Sequence, residues 1–398
     1  MKEVNTILAI ILLTMTGCGS NEQSANTLIM VDVTANYPKK ELVLQDFMDV
    51  EYIPLETTNE FLCQGLVQAI GKEIILVKNQ VNDGNIYVYN RAGKGLRIIN
   101  RFGRGSEEYS FLAGIFLDED NGEIFINDIS PQRILVYDLY GRFKRSLPVR
   151  EDARYRSIYG FGTDNLIFWD ASYQMAGETT TSRFFTPKPD GETPFLIISK
   201  QDGSIVKEIQ IPHKGWKSTA VIQQDERGVT VMPIVHFPVI PYQDGWILSE
   251  PSADTVFKYS SDHSMIPFIG RTPSIHSTTP EIFLIPLILT DHYFFMKTEK
   301  KEFDFAAWKG LPKTYLMYDR QEEKIYEYTV YNDDYSNETI IDMAQATISN
   351  EIAFWKKIEA DELVESYKKG ELKGKLKEVA ADLEEDSNPV IMLVKHKK

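Results

Sequence analysis

The sequence is poor in cysteine and in metal-binding patterns. Cys18 and Cys63 are the two cysteines among 398 residues, too few for the disulfide framework of a small secreted scaffold. The six histidines (His213, His236, His263, His276, His292 and His396) form neither His-Glu-x-x-His nor a close pair, and Cys-x-x-Cys does not occur. Zinc sites of the finger and metalloprotease kinds are thereby excluded, and no metal or cofactor is expected. A Gly-x-Ser-x-Gly elbow is also missing, which removes the α/β-hydrolase reading. Cations are in deficit: 43 Lys and Arg stand against 58 Asp and Glu, a net charge of −15. Such a surface repels polyanions, so nucleic acid is not an expected partner.

What is present is β-sheet grammar. The run Ile86 to Gly93, Ile-Tyr-Val-Tyr-Asn-Arg-Ala-Gly, reads as a strand ending in a tight turn, because β-favouring residues precede an Asn/Gly reversal. The pattern returns at Ile134 to Gly141, Leu196 to Gly203, Val256 to His263 and Tyr315 to Glu322, with starts 48, 62, 60 and 59 residues apart. That interval suits a propeller blade, with each anchor run as a third strand. Aromatics, 12% of residues, suit sheets packed face to face. In blade four the innermost strand is read at Ile234 to Ile240.

Both ends of the chain break this rhythm. Lys2, the apolar run Ile7 to Leu13 and Met15-Thr16-Gly17-Cys18 resemble a bacterial lipoprotein signal. The resemblance implies cleavage before Cys18 and lipidation of its thiol; the apolar run is too short to cross a bilayer itself. Residues 1–17 are then a signal, 18–27 a polar tether and 28–398 one domain. Toward the C-terminus, Glu351 to Lys369 and Leu372 to Glu385 have helical spacing. Leu372, Leu376, Val379, Ala380 and Leu383 form one apolar stripe. Val390 to Val394 reads as a last strand. A sixth, composite blade from both termini removes the open edges of the ring; either Leu28 to Val33 or Val50 to Leu55 could complete it. The expected fold is all-β, a six-bladed β-propeller with a short helical insertion in the last blade.

Three segments carry a family resemblance: Val50-Glu51-Tyr52-Ile53-Pro54-Leu55-Glu56, Arg101 to Tyr109, and Asn388-Pro389-Val390-Ile391-Met392-Leu393. They resemble the six-bladed β-propeller lipoproteins of Bacteroidota, related in shape to NHL and TolB-like propellers. The resemblance implies an outer-membrane lipoprotein, facing either the periplasm or the surface, and no general activity.

In a blade, the connections between strands two and three and those leading to the next blade emerge on one face. Here that set is long, and long loops on a rigid ring are where recognition lives. Arg104, Glu108, Tyr109, Arg154, Tyr155, Arg156, Trp216 and Trp308 lie in it and are the candidate ligand-binding residues. Rings beside planar cations suit a glycan, peptide or protein partner. The other reading of each is a side chain that fastens blades together. Gly103-Arg104-Gly105 lacks the lysine and helix of a phosphate loop, and Asp118 to Gly122 lacks the bidentate Glu of a calcium hand. Two classes remain: a lipid-anchored binding or scaffold module, and a lactonase-like hydrolase or lyase with a channel-bound calcium. The second needs carboxylates converging from the innermost strands, which are nearly free of them; binding is favoured.

Overall fold

Each repeated run becomes the third strand of a blade in the computed structural model, which describes residues 28–129, 131–150, 153–172, 194–226, 228–345 and 347–397. The expected signal and tether lie outside these residues. Blade one is Leu66–Ile70, Ile74–Lys78, Asn85–Asn90 and Gly95–Asn100, antiparallel from the channel outward. Blade two is Gly114–Asp118, Glu123–Asp128, Arg133–Asp138 and Phe143–Pro148. Blade three is Tyr155–Phe161, Asn165–Asp170, Phe195–Ser199 and Ile205–Ile209. Blade four is Val239–Tyr242, Gly245–Leu248, Thr255–Ser260 and Met265–Thr272. Blade five is Ile282–Leu289, Tyr293–Lys300, Lys313–Asp319 and Lys324–Asn332.

The turn after each anchor run explains the spacing. Gly93 and Gly141 sit at φ +80° and +79°, and a Cβ on Gly93 would stand 2.0 Å from the carbonyl oxygen of Pro54. Glycine is required there for both backbone sign and close approach. In blade four the same place is taken by His263 at φ +66°, whose Nδ1 meets the Tyr259 hydroxyl at 2.7 Å.

The sixth blade is composite. Ile352–Ile358 pairs with Val390–His396, which pairs in turn with Met48–Pro54 from the other end of the chain. The innermost place beside the channel is held by the stretch around Thr347 to Ser349, where the N–H groups of Ile348 and Ser349 donate to Ile352 O. Of the two N-terminal candidates the second thus closes the ring. Ile29–Asp32 instead adds a fifth, parallel strand to the outer edge of blade four, and Lys39–Val43 does the same for blade five. A short helix, α1 (Leu44–Phe47), leads on to blade six.

Three sequence expectations are corrected. The first half of Glu351 to Lys369 is a strand: Ile352–Ile358 is rich in β-branched and aromatic residues, and pairing to Val390–His396 decides what its ambiguous spacing could not. Only Ala360–Lys368 is helical (α2), followed by Gly374–Ala381 (α3). Leu372, Leu376 and Ala380 are buried, as the stripe requires, in the cluster shared by blades five and six. In blade four the inner strand starts at Val239 rather than Ile234, since Pro238 just before it has no N–H to join a ladder. Finally, two of the long connections are themselves folded: Ala220–Asp225 pairs with Gly228–Pro233, and Phe303–Asp304 with Lys309–Gly310.

Six apolar clusters fill the six blade-to-blade contacts. The largest gathers Phe283, Phe295, Phe354 and Met392 with α2 and α3 side chains. Burial of this kind contributes roughly 1.5–3 kcal/mol per large side chain.

Candidate functional site at the channel mouth

The inner strands do not close the channel completely. Between blades one, two, three and six, on the face of the long connections, lies a cavity of about 600 Å³. Its walls are Val67 to Ile70, Phe111, Gly114 to Leu117, Ile158, Tyr159, Ile348 and Trp355, with Gln68, Asn127, Thr347 and Ser349 as polar points. Most of those points are already engaged. Gln68 Nε2 donates to the carbonyls of Leu66 and Val67, and Asn127 Nδ2 donates to Tyr155 O at 2.6 Å. The Tyr159 hydroxyl donates to Thr347 O at 3.3 Å, and burial pushes its pKa up to about 12. Thr347 Oγ1 is the exception: it is buried with no hydrogen-bond partner among the described residues. A ligand group that met it would relieve an unsatisfied buried hydroxyl.

Among the described residues no carboxylate, lysine, arginine or histidine lines the cavity, and no group of three metal-ligating side chains occurs. Asp118 sits at the far end of the inner strand of blade two and holds Lys200 Nζ at 2.6 Å. The arrangement can enclose an apolar group and offer it one hydroxyl; it holds no acid–base pair.

The mouth is kept in shape by a repeated device. At the end of the second strand of blades one to three, Asn79, Asp128 and Asp170 accept backbone N–H groups of the incoming connection, from Gln64, from Ser110 and Phe111, and from Arg154. Spaced 49 and 42 positions apart, these residues recur at the end of the second strand of each blade, and that recurring place was the signal available in the sequence. Tyr159, Thr347 and Trp355 had no comparable signal, because their exposure to the channel depends on ring closure.

The eight sequence candidates are not brought together. Of the candidates whose side chains are described, Tyr155 alone reaches the cavity wall, and its ring is buried against Phe168 at 3.7 Å between centroids. Tyr109 is wholly buried: its hydroxyl donates to Gly84 O at 2.7 Å and accepts from Arg101 N. Both therefore fasten blades. Glu108 is exposed, but its carboxylate turns back to accept Gly105 N, while Arg133 donates to the carbonyls of Gly105, Ser106 and Glu108 and clamps the loop. Arg104 and Arg154 are exposed on neighbouring connections. Arg156 lies in the first strand of blade three, with its side chain outside the described residues. Trp216 packs beside His213 at 4.3 Å, and Trp308 projects from the blade-five hairpin, 64% exposed.

One buried acid stands apart. Glu250, just past the second strand of blade four, accepts Ser252 N at 3.0 Å. Burial pushes its pKa up to about 7, against the lowering effect of Ser252 and of the neighbouring Trp169 indole.

Among solved structures, the chain is similar to a protein described as exported from Bacteroides fragilis, at 16% identity and TM-score 0.55, covering 94% of this chain and 100% of that one. Lower likenesses are to a member of the DUF4221 family from Bacteroides vulgatus (10% identity, TM-score 0.40, 88% and 98% covered) and to virginiamycin B lyase from Staphylococcus aureus (14%, 0.32, 70% and 88%). The first likeness shows the fold; the other two carry no argument. No curated protein matches the sequence. The model of one family, described as a domain of unknown function (DUF4934), matches residues 28–395, the whole of the ring just described, and the chain belongs to that family.

Proposed function

We propose that the chain is an exported, lipid-anchored binding module whose propeller holds an apolar side chain of a peptide or protein partner in the channel mouth. The observation that carries this reading is the cavity of about 600 Å³, apolar-walled, with, among the described residues, one unsatisfied buried hydroxyl at Thr347 and no titratable group other than two tyrosines. Anchoring is supported by the signal-like residues ending in Gly17-Cys18, and export by those residues and by the exported description of the Bacteroides fragilis protein. An anchor of several acyl chains on one cysteine holds a protein stably, whereas one chain holds it marginally.

Gly114 offers the test. A Cβ there would meet nothing within 4 Å, and the residue lines the cavity, so the backbone at Gly114 has room for the Cβ of a Gly114→Phe side chain that occupies the space. Peptides selected from a random library for binding to the parent chain should carry an aromatic or aliphatic anchor, and Gly114→Phe should weaken them at least about tenfold at unchanged melting temperature. Equal affinity in the variant sinks the channel reading. Cys18→Ala should move the protein to the soluble fraction; retention in the membrane sinks the anchor.

A further inference from the structure

Two connections that the sequence presents as plain loops meet as hairpins on the long-connection face. One, Ala220–Asp225 with Gly228–Pro233, leads from blade three to blade four. The other, Phe303–Asp304 with Lys309–Gly310, belongs to blade five. Between them is a cleft of about 330 Å³, separate from the channel and lined by Gln223, Asp225, Gly228, Thr230, Phe305 and Trp308 among others. We propose that this cleft binds a neutral oligosaccharide, with a sugar ring stacked on Trp308.

The indole is presented and held. Trp308 is 64% exposed and adopts φ +51°, a left-handed backbone that is costly for a bulky residue. The hairpin tip maintains that conformation: Asp304 Oδ1 accepts the N–H groups of Ala306 and Ala307 at 2.8 and 3.0 Å, and Leu311 N donates to Glu302 O at 2.6 Å. Phe303 and Phe305 meet the indole edge-on, with centroids 5.6 and 6.4 Å away, and each other at 4.9 Å. These contacts fix the plane of the indole while leaving much of its surface to solvent. Such an amphipathic ring loses little conformational entropy on binding.

The opposite wall is polar in a regular way. Gln223 pairs with Thr230, and Asp225 with Gly228. Side chains two apart along a strand, and opposite each other across the pair, share one face, so the Gln223 amide and the Thr230 hydroxyl present themselves together. Gly228 adds no bulk, since a Cβ there would meet nothing within 4 Å. An aromatic ring lining the same cleft as an amide and a hydroxyl matches a pyranose, which has an apolar C–H face and a rim of hydroxyls. A purely apolar peptide would cover the Gln223 and Thr230 side chains without offering either a partner, and the net charge of −15 disfavours an anionic sugar.

The site shares no residue with the channel mouth, so its failure leaves the peptide reading untouched. The test is affinity gel electrophoresis of the purified chain in gels carrying neutral polysaccharides: a starch, a β-glucan, a xylan and a mannan. Retardation in at least one matrix is expected. In that matrix Trp308→Ala should weaken binding at least about tenfold, Trp308→Phe should recover part of it, and Gln223→Ala should weaken it less, all with the parent melting temperature. Gly114→Phe should bind as the parent does. Absence of retardation in all four matrices, or equal retardation of parent and Trp308→Ala, overturns the proposal.

Discussion

Blades one to three and blades four to six are joined by different means. The first three are built from consecutive chain, four strands each, with no fifth strand on their outer edges. Charged side chains cross from blade two to blade three: Arg145, held within its own blade by Glu123 at 2.7 Å from each of its two Nη atoms, donates onward to Lys200 O, and Lys200 pairs with buried Asp118. The other three blades take in the N-terminal segment strand by strand, and the last two enclose the largest apolar cluster. Some of their ion pairs also involve that segment, as Lys40 with Asp319 and Glu51 with Lys395. One half therefore rests on contacts between neighbours in sequence, the other on contacts between residues about 300 apart. Long-range pairing of the second kind is the slower and more cooperative commitment.

The largest way to break this comparison is to remove residues 389–398, and with them the central strand of blade six. Both Met48–Pro54 and Ile352–Ile358 would lose their partner, exposing strand edges. The truncated chain should aggregate or lose its single cooperative transition in calorimetry. If it melts like the parent, the ring does not depend on that closure.

A smaller effect sharpens the comparison through pH, with opposite signs in the two halves. Glu250 of blade four titrates near 7 because it is buried, above its ordinary value near 4.5. The parent should therefore lose stability as pH rises from about 4.5 to 7, by at most about 3 kcal/mol, and then level off. Glu250→Gln should match the parent near pH 4.5 and melt higher at pH 8. Glu123 of blade two is held down at about 2 by its hydrogen bonds with Arg145, aided by Lys144. Its contribution, about 1 kcal/mol for a partly solvated pair, is present above pH 4.5 and is lost as pH falls toward 2. Glu123→Gln should melt lower at pH 7, and its difference from the parent should vanish near pH 2. Melting curves with the same pH slope in both variants would remove the distinction between the two halves.

The blades were legible in the sequence because each repeats the same local chemistry, an alternating strand stopped by a residue that accepts a left-handed turn. Even His263, which replaces glycine, falls where the period puts it. The candidate site was legible as a face and not as residues. Tyr109 and Tyr155 carry the composition of a binding loop, yet their hydroxyls and rings are used inside the fold. Trp308 has the same composition and is exposed, because its hairpin leaves the ring altogether.

By itself the sequence determined the strand periodicity, the blade interval, the apolar stripe of α3 and the need for both ends to meet, since all of these follow from side-chain alternation and turn chemistry within a few residues. Only the tertiary structure decided which N-terminal strand closes blade six, that Ile352–Ile358 is extended, and that Thr347 and Trp355 face a cavity with residues from blades one to three. Each of those depends on pairing across the ring, where partners lie hundreds of positions apart and local propensity is silent. The free energy that selects among them is the burial gained when the ring closes.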